Sequence, residues 1–307
     1  MVYTGLMKRL IIIAGATATG KTAAAVQLAK KIGGEVISAD SMQVYRGMDI
    51  GTAKPNATEM EDVPHHMLSI IEPDEAFSAA EFQKGAMAAM EGIYARGKVP
   101  IMAGGTGFYI NAVLYGAEFA SVGYEEEEKL REQYAIFAQE NGAEALHTKL
   151  SAADPDYAAT IHANNVKRVA RALAYCKSTG KLFSEYNALQ KEKKPLFDFD
   201  FYVISLPRHI LYDRINARVL AMMDTGLVEE VQGLLEKGYS KRLAAMQGIG
   251  YKETVRFLSG EISHAEAVAA IQQNTRRYAK RQETWFRNQT QNARILHTAD
   301  IMKGLTP

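Results

Sequence analysis

The chain has 307 residues, 47% hydrophobic and 23% charged, enough apolar material for one large domain or two modest ones and too much for a disordered chain. A formal net charge of +1 excludes a surface that is basic or acidic throughout. Apolar runs of only about five residues exclude a membrane-spanning helix.

The first strong signal lies near the start. Leu10-Ile11-Ile12-Ile13-Ala14 reads as a buried strand and runs directly into Gly15-Ala16-Thr17-Ala18-Thr19-Gly20-Lys21-Thr22. That is a complete Gly-x-x-x-x-Gly-Lys-Thr phosphate loop, placed between a strand and a helix that extends to Ile32. Gly15 and Gly20 let backbone N–H groups converge on a phosphate. Lys21 adds a point charge, Thr22 offers a hydroxyl to Mg²⁺, and the helix starting near Lys21 aims its positive end at the same spot. The loop signals phosphate or diphosphate, and by itself neither a nucleotide nor a particular bond to break. The residues before it, Met1 to Met7, lack an apolar core followed by a cleavage site, so no signal peptide is expected and Met7-Lys8 reads as a natural start.

Glu35 to Ala39 reads as a second strand, ending at Asp40. The polar, glycine-containing segment 40–55 follows. Asp40 has three readings there: orienting Mg²⁺, accepting a proton from an incoming nucleophile, or capping a turn. His65-His66 is not a convincing metal pair, because adjacent side chains diverge, and no zinc signature or nucleophilic triad is present. Residues 78–97 have helical spacing. Val99 to Ala103 is a third strand, stopped by Gly104-Gly105-Thr106-Gly107-Phe108-Tyr109, which either admits a close backbone approach or simply starts a helix.

The strand signal disappears between about 118 and 195. Helical spacing replaces it, with Glu125 to Glu128 as an acidic run and Val166 to Cys176 as a helix ended by Gly180. Cys176 lies in this packed stretch, and as the single cysteine it permits no internal disulfide, which suits a reducing cytoplasm. Residues 191–195 read as the return linker. Residues 201–206 form another strand, followed by helices at about 208–225, 227–237 and 263–289. Arg214 and Arg218 share one helix face, either as a diphosphate clamp or as a solvated face. Gln247 to Lys252 reads as a glycine-punctuated turn between helices. From Arg276 to Arg294 six basic residues stand against one acid, Glu283, so a local basic face is expected despite the neutral total.

Alternating strands and helices imply parallel pairing, with ligands at the carboxyl ends of the strands. The expected fold class is α/β, a P-loop NTPase-like parallel sheet flanked by helices with a helical insertion domain. Residues 1–117 and 196–307 form the core and 118–195 the insertion. The phosphate loop, Asp40 and Gly104-Gly105-Thr106 each follow a strand, so all three should meet on one edge of the sheet.

Together these segments resemble the bacterial tRNA dimethylallyltransferases, over about residues 9 to 290. The resemblance rests on the phosphate loop, on Asp40 to Pro55, on Pro64-His65-His66, on 104–109, on Asn165 to Leu173, on Gln247 to Glu253 and on Thr275 to Arg287. Ala16, Thr19 and Phe108 depart from the common pattern without removing a functional group. The resemblance implies transfer of a dimethylallyl group from dimethylallyl diphosphate to the exocyclic amine of adenosine 37, in tRNAs reading codons that begin with U, with Mg²⁺ assisting. It implies Asp40 as proton acceptor, and Thr22 with Arg214 or Arg218 on the diphosphate. It further implies tRNA contacts from Asp40, Ser41, Met42, Gln43 and Thr106, and from Arg131, Asn165, Val166, Lys167 and Arg168. Others are implied for Gln247, Gly248, Ile249, Gly250, Tyr251 and Lys252, and for Arg277, Lys280 and Arg281. The partners expected are the tRNA anticodon stem-loop and dimethylallyl diphosphate, with no membrane, and the protein is expected to act as a cytoplasmic monomer. The competing expectation is a small-molecule kinase that uses the same loop for ATP, with Asp40 as base.

Overall fold

The computed structural model describes residues 8–118, 124–192, 194–290 and 293–297. The reading of Met1 to Met7, and residue 193 of the return linker, lie outside them. Two compact units emerge, one ending at Leu114 and resuming at Leu196, the other spanning Tyr115–Pro195.

In the first unit β1 (Arg9–Gly15) is buried from Leu10 onward, as a continuous apolar run in a parallel sheet requires. It leads through the phosphate loop into α1 (Lys21–Ile32), which ends on Gly33 in the left-handed conformation. Next come β2 (Glu35–Ser38), the short α2 (Ala57–Met60) and β3 (His65–His66). The helix α3 (Ala79–Ala95) opens with a capping box in which Ser78 and Glu81 satisfy each other's backbone N–H. β4 (Pro100–Gly104) then turns into α4 (Gly107–Leu114).

The second unit is wholly helical among its described residues. It contains α5 (Tyr124–Asn141), α6 (Ala143–Ala153), α7 (Pro155–Ala158), α8 (Val166–Thr179) and α9 (Phe183–Glu192). Its core packs Leu146, Leu150, Val169, Leu173 and Phe183. The buried Asp154 ties two elements together, capping α7 through Tyr157 N–H and accepting from Ser184 N–H on α9.

The chain returns through β5 (Asp198–Ser205), α10 (Arg208–Asp224), α11 (Leu227–Glu236), α12 (Tyr251–Leu258), α13 (His264–Gln289) and β6 (Arg294–His297). The sheet is six-stranded in the order β3-β2-β4-β1-β5-β6, and every pairing is parallel. Ala14 pairs with Gly104 and Ser38 with Ala103. The phosphate loop, the Asp40 segment and the Gly104 turn therefore leave the sheet at its carboxyl edge, where the order of the strands brings them together.

Three elements depart from the sequence expectation. The edge strands β3 and β6 are only two and four residues long, too short for an alternating pattern. The third is α12, which begins inside the segment expected to be a turn. Gly250, at φ 97°, lets the chain enter the helix, and the buried Glu253 carboxylate accepts from Gly250 N–H at 2.8 Å. No helix among the described residues is long and apolar enough to cross a membrane.

Candidate active site

The phosphate loop takes its shape from three positive φ angles: 151° at Gly15, 65° at Ala18 and 92° at Gly20. A Cβ on Gly15 would stand 2.6 Å from the carbonyl oxygen of Ile204, so only glycine fits between β1 and β5. Ala18 holds its left-handed backbone without that freedom, a local strain retained by packing. The methyls of Ala16 and Ala18 join Leu206, Leu211, Ile215 and Ala279 in a small core beneath the loop. The Thr19 hydroxyl donates to Ala16 O at 2.8 Å and is buried, so Thr19 shapes the loop from inside. Gly20 provides no side-chain cap to α1, which leaves the amides of its first turn free for an anion.

Lys21 Nζ donates to Ala16 O at 2.6 Å. Desolvation holds its pKa down to about 8; Asp40 opposes this shift and Arg218 adds to it. The Asp40 carboxyl is pushed the other way, above the ordinary range, because loss of water outweighs a hydrogen bond from Met42 N–H and the charge on Lys21.

Two adjoining cavities meet here. One, of about 290 Å³, is polar and follows Lys21, Thr22, Asp40, Lys54 and His65. The other, of about 340 Å³, runs past Met42, Ile215, Met222 and Ile249 to Tyr278 and Arg281. Thr17, Asp40, Thr52, Ala53 and Arg218 line both, and so form the wall between them.

The expected arginine pair divides. Arg218 is half-buried on this wall, and its Nη1 donates to Thr17 Oγ1 at 3.5 Å. Arg214, one turn away on α10, is exposed and lines neither cavity.

Several residues expected to touch RNA are held within the framework. Tyr251 is 0% exposed; its ring fills the space a Cβ on Gly51 would need, and its hydroxyl donates to Glu230 at 2.6 Å. The side chain is therefore core, and it also forms part of the lining of the less polar cavity. The same Glu230 carboxylate accepts from the N–H groups of Asp49, Ile50 and Gly51, pinning the 40–55 segment to α11. Gln43 accepts from Ser38 and donates to Thr52 O and Ala53 O, so its amide is consumed internally. Met42, Ser41, Gln247, Gly248, Ile249 and Gly250 line the less polar cavity. Lys252, half-buried, lines neither cavity; its Nζ lies 3.9 Å from Glu253. Thr106 accepts from Ser41 N–H, which joins the Gly104 turn to the Asp40 segment.

In the second unit Arg131 pairs with Glu127 and with Glu128, so the acidic run on α5 neutralises it. Asn165, Lys167 and Arg168 are exposed at the start of α8, while Val166 packs toward its core.

On α13, Arg277, Lys280 and Arg281 are exposed, and no ion pair engages them among the described residues. The opposite side of that helix supplies a residue that sequence reasoning missed. Gln282 is buried; its Oε1 accepts from Thr17 N–H and its Nε2 donates to Gly105 O, both at 2.9 Å. Two glycines of the 104–107 turn make room for this helix. A Cβ on Gly105 would lie 2.1 Å from Gln282, and one on Gly107 2.1 Å from Trp285.

A parallel sheet with a phosphate loop, an acid of raised pKa and a half-buried arginine on one wall defines a P-loop protein built to act on a phosphate or diphosphate ester. The chain belongs to the IPP transferase family, whose pattern it matches over residues 43–289. It is 49% identical over 284 residues to the tRNA dimethylallyltransferase of Geobacillus thermodenitrificans, covering 92% of this chain and 89% of the relative. Among solved structures it resembles the tRNA isopentenylpyrophosphate transferase of Bacillus halodurans, at 42% identity and a TM-score of 0.71, covering 96% and 94% of the two chains. It also resembles a eukaryotic dimethylallyltransferase acting on tRNA, at 30% identity and a TM-score of 0.80, covering 96% of this chain and 75% of that one.

Proposed function

We propose that the protein transfers a dimethylallyl group from dimethylallyl diphosphate to the N6 amine of adenosine 37, in tRNAs reading codons that begin with U. The observation that carries this reading is the shared wall of Thr17, Asp40 and Arg218. It lies between a cavity suited to diphosphate and a less polar one suited to an allylic chain and a base.

In this reaction the bond between the allylic carbon and the diphosphate oxygen breaks, and a bond from that carbon to N6 forms. The proton leaves N6 for the Asp40 carboxylate, and diphosphate departs. An adenine amine is a weak nucleophile, because its lone pair is delocalised into the ring. A carboxylate of raised pKa is the better acceptor for its proton. Negative charge builds on the departing diphosphate, where the loop amides, Lys21 and Arg218 stabilise it. Thr22 lines the same cavity, and its hydroxyl is a ligand type that suits Mg²⁺. Among the described residues no group of three or more His, Cys, Asp or Glu stands ready to hold a metal, so Thr22, diphosphate oxygens and water would complete its shell. When bound, the ion would supply further charge stabilisation on the diphosphate.

The target base must leave its stack, at a cost of roughly a few kcal/mol, and contacts to the flanking RNA offset that. We assign those contacts to the exposed bases of α13 and to Asn165, Lys167 and Arg168 at the start of α8. With one cysteine and a tRNA substrate, the protein is assigned to the cytoplasm.

The test is to incubate the protein with tRNA and either carbon-labelled dimethylallyl diphosphate or γ-labelled ATP. Prenyl label is expected in the RNA. Transfer of phosphate from ATP instead would restore the kinase reading, which the relatives named above do not favour.

A further inference from the structure

The helix α13 has two unlike sides. Thr275, Tyr278 and Gln282 recur at i, i+3 and i+7, which places them on one face. All three line a cavity of the site. Arg277 and Lys280 lie on the other face and are exposed.

On the inward face Gln282 makes two bonds whose directions leave no choice of amide orientation. A backbone N–H only donates and a backbone carbonyl only accepts, so Oε1 must face Thr17 and Nε2 must face Gly105. The amide thus joins the phosphate loop to the turn after β4. That turn is bonded in its own right to the Asp40 segment. Thr106 N–H donates to Ala39 O at 3.1 Å, and Ser41 N–H donates to Thr106 Oγ1 at 3.2 Å. Gly104 lies so close to Ala39 that a Cβ on it would stand 2.2 Å from the carbonyl oxygen. One continuous chain of contacts therefore runs from Thr17 through Gln282 and the Gly105 turn to both neighbours of Asp40. Its first end holds the loop that binds the leaving group, and its last end holds the base.

We propose that Gln282 is a positioning residue for the transfer step, setting the distance between the phosphate loop and Asp40. This rests on the reaction proposed above. Gln282 donates no proton to the reacting atoms, and its effect passes through Thr17 and the Gly105 turn. Misplacement of reacting groups by about 1 Å is enough to slow a positioned reaction on the order of 100-fold. Loss of the clip should therefore act on turnover, although the helix that carries it also carries the bases assigned to RNA.

The experiment compares Gln282→Met and Gln282→Glu with the wild-type protein. The readouts are single-turnover transfer at saturating tRNA and dimethylallyl diphosphate, filter-binding affinity for tRNA, and thermal melting. Gln282→Met keeps the length of the side chain and loses both bonds. Its saturated rate is expected to fall about 10–100-fold, with tRNA affinity within about twofold of wild type.

Gln282→Glu keeps the acceptor for Thr17 N–H. It regains the donor to Gly105 O only when protonated, so its rate relative to wild type should improve as pH is lowered. The ratio for Gln282→Met should stay flat over the same range. A residue that only stabilised the fold would lower melting and leave the rate of the folded protein unchanged and its ratio to wild type independent of pH. A Gln282→Met protein with the wild-type saturated rate overturns the proposal. If that variant does not fold, a flat ratio for Gln282→Glu overturns it. Failure of the reaction assignment is distinct, since the wild-type protein would then put no prenyl label on tRNA.

Discussion

At the scale of single residues, burial sets the chemistry of the site by moving two charges in opposite directions. Desolvation raises the Asp40 carboxyl and lowers the Lys21 ammonium, and each group's charge limits the shift of the other. Asp40→Asn keeps the acceptor for Met42 N–H but cannot take a proton. Its single-turnover rate is expected to fall roughly 10²–10⁴-fold with donor binding retained. The wild-type rate should rise with pH through a midpoint above the usual carboxylate range, as Asp40 loses its proton, and the Asn variant should lack that rise. For Lys21 the sign is opposite. The site loses its positive charge as pH rises past about 8, so affinity for inorganic diphosphate should weaken above that pH, by at most about tenfold per unit. The inhibitor titrates too, and Lys21→Arg controls for it because guanidinium keeps its charge. The ratio of wild-type to Arg inhibition constants should climb above pH 8, and a flat ratio would place the lysine outside the anion site. The type of these residues was readable in the sequence, because a phosphate loop names its own lysine. Gln282 was not readable, since its partners lie 265 and 177 positions away.

At the scale of elements, α13 combines a buried side with an outward row of cations. Arg276 does not belong to that row, because its guanidinium donates to Asn216 Oδ1 at 2.6 Å and lies over the Tyr212 ring. Arg277 and Lys280 remain on the outward side, and Arg281, exposed but lying over the Tyr278 ring and lining the less polar cavity, stands at its edge. Each cation that neutralises an RNA phosphate releases condensed counterions. Substituting all three by Ala should weaken binding to different substrate tRNAs alike, and flatten log affinity against log salt by about 0.7–0.9 per lost contact. Measuring affinity across a salt series for two tRNAs with different anticodon loops checks this. A triple variant with the wild-type slope would leave this helix face in open solvent. The charge segregation on α13 was legible as a run of bases. Which of them point outward was decided by packing, since Ala279, Gln282 and Phe286 turn inward. The 40–55 segment shows the same division. Its expected site residues, Asp40 to Gln43, stand at its start, while Asp49, Ile50 and Gly51 serve to lock it onto Glu230 and Tyr251.

At the scale of the whole molecule, the chain leaves and re-enters the sheet-containing unit at one place. Leu196 N–H donates to Leu114 O at 2.8 Å, so the two chain ends that flank residues 115–195 already adjoin. Replacing 115–195 by a short Gly-Ser linker should leave the remaining unit folded, because the sheet and its cover of helices close without it. The shortened protein is expected to melt cooperatively and to bind inorganic diphosphate near the wild-type affinity. Its affinity for tRNA should fall at least tenfold, since Asn165, Lys167 and Arg168 go with the excised unit. Calorimetry and filter binding check the two halves. A shortened protein that bound tRNA as well as the full chain would remove the helical unit from RNA recognition.

By itself the sequence determined the parallel α/β core, the phosphate loop, the place of Asp40 at a strand end and the helical character of the described residues between 124 and 192. Each of these follows from local information: apolar runs, glycine spacing and helical period. Tertiary structure alone decided which of Arg214 and Arg218 faces the cavities, that Tyr251 is core, and that Gln282 joins the phosphate loop to the Gly105 turn. These depend on contacts between segments far apart in the chain. A side chain's exposure and partners are properties of the packed neighbourhood, which no local pattern encodes.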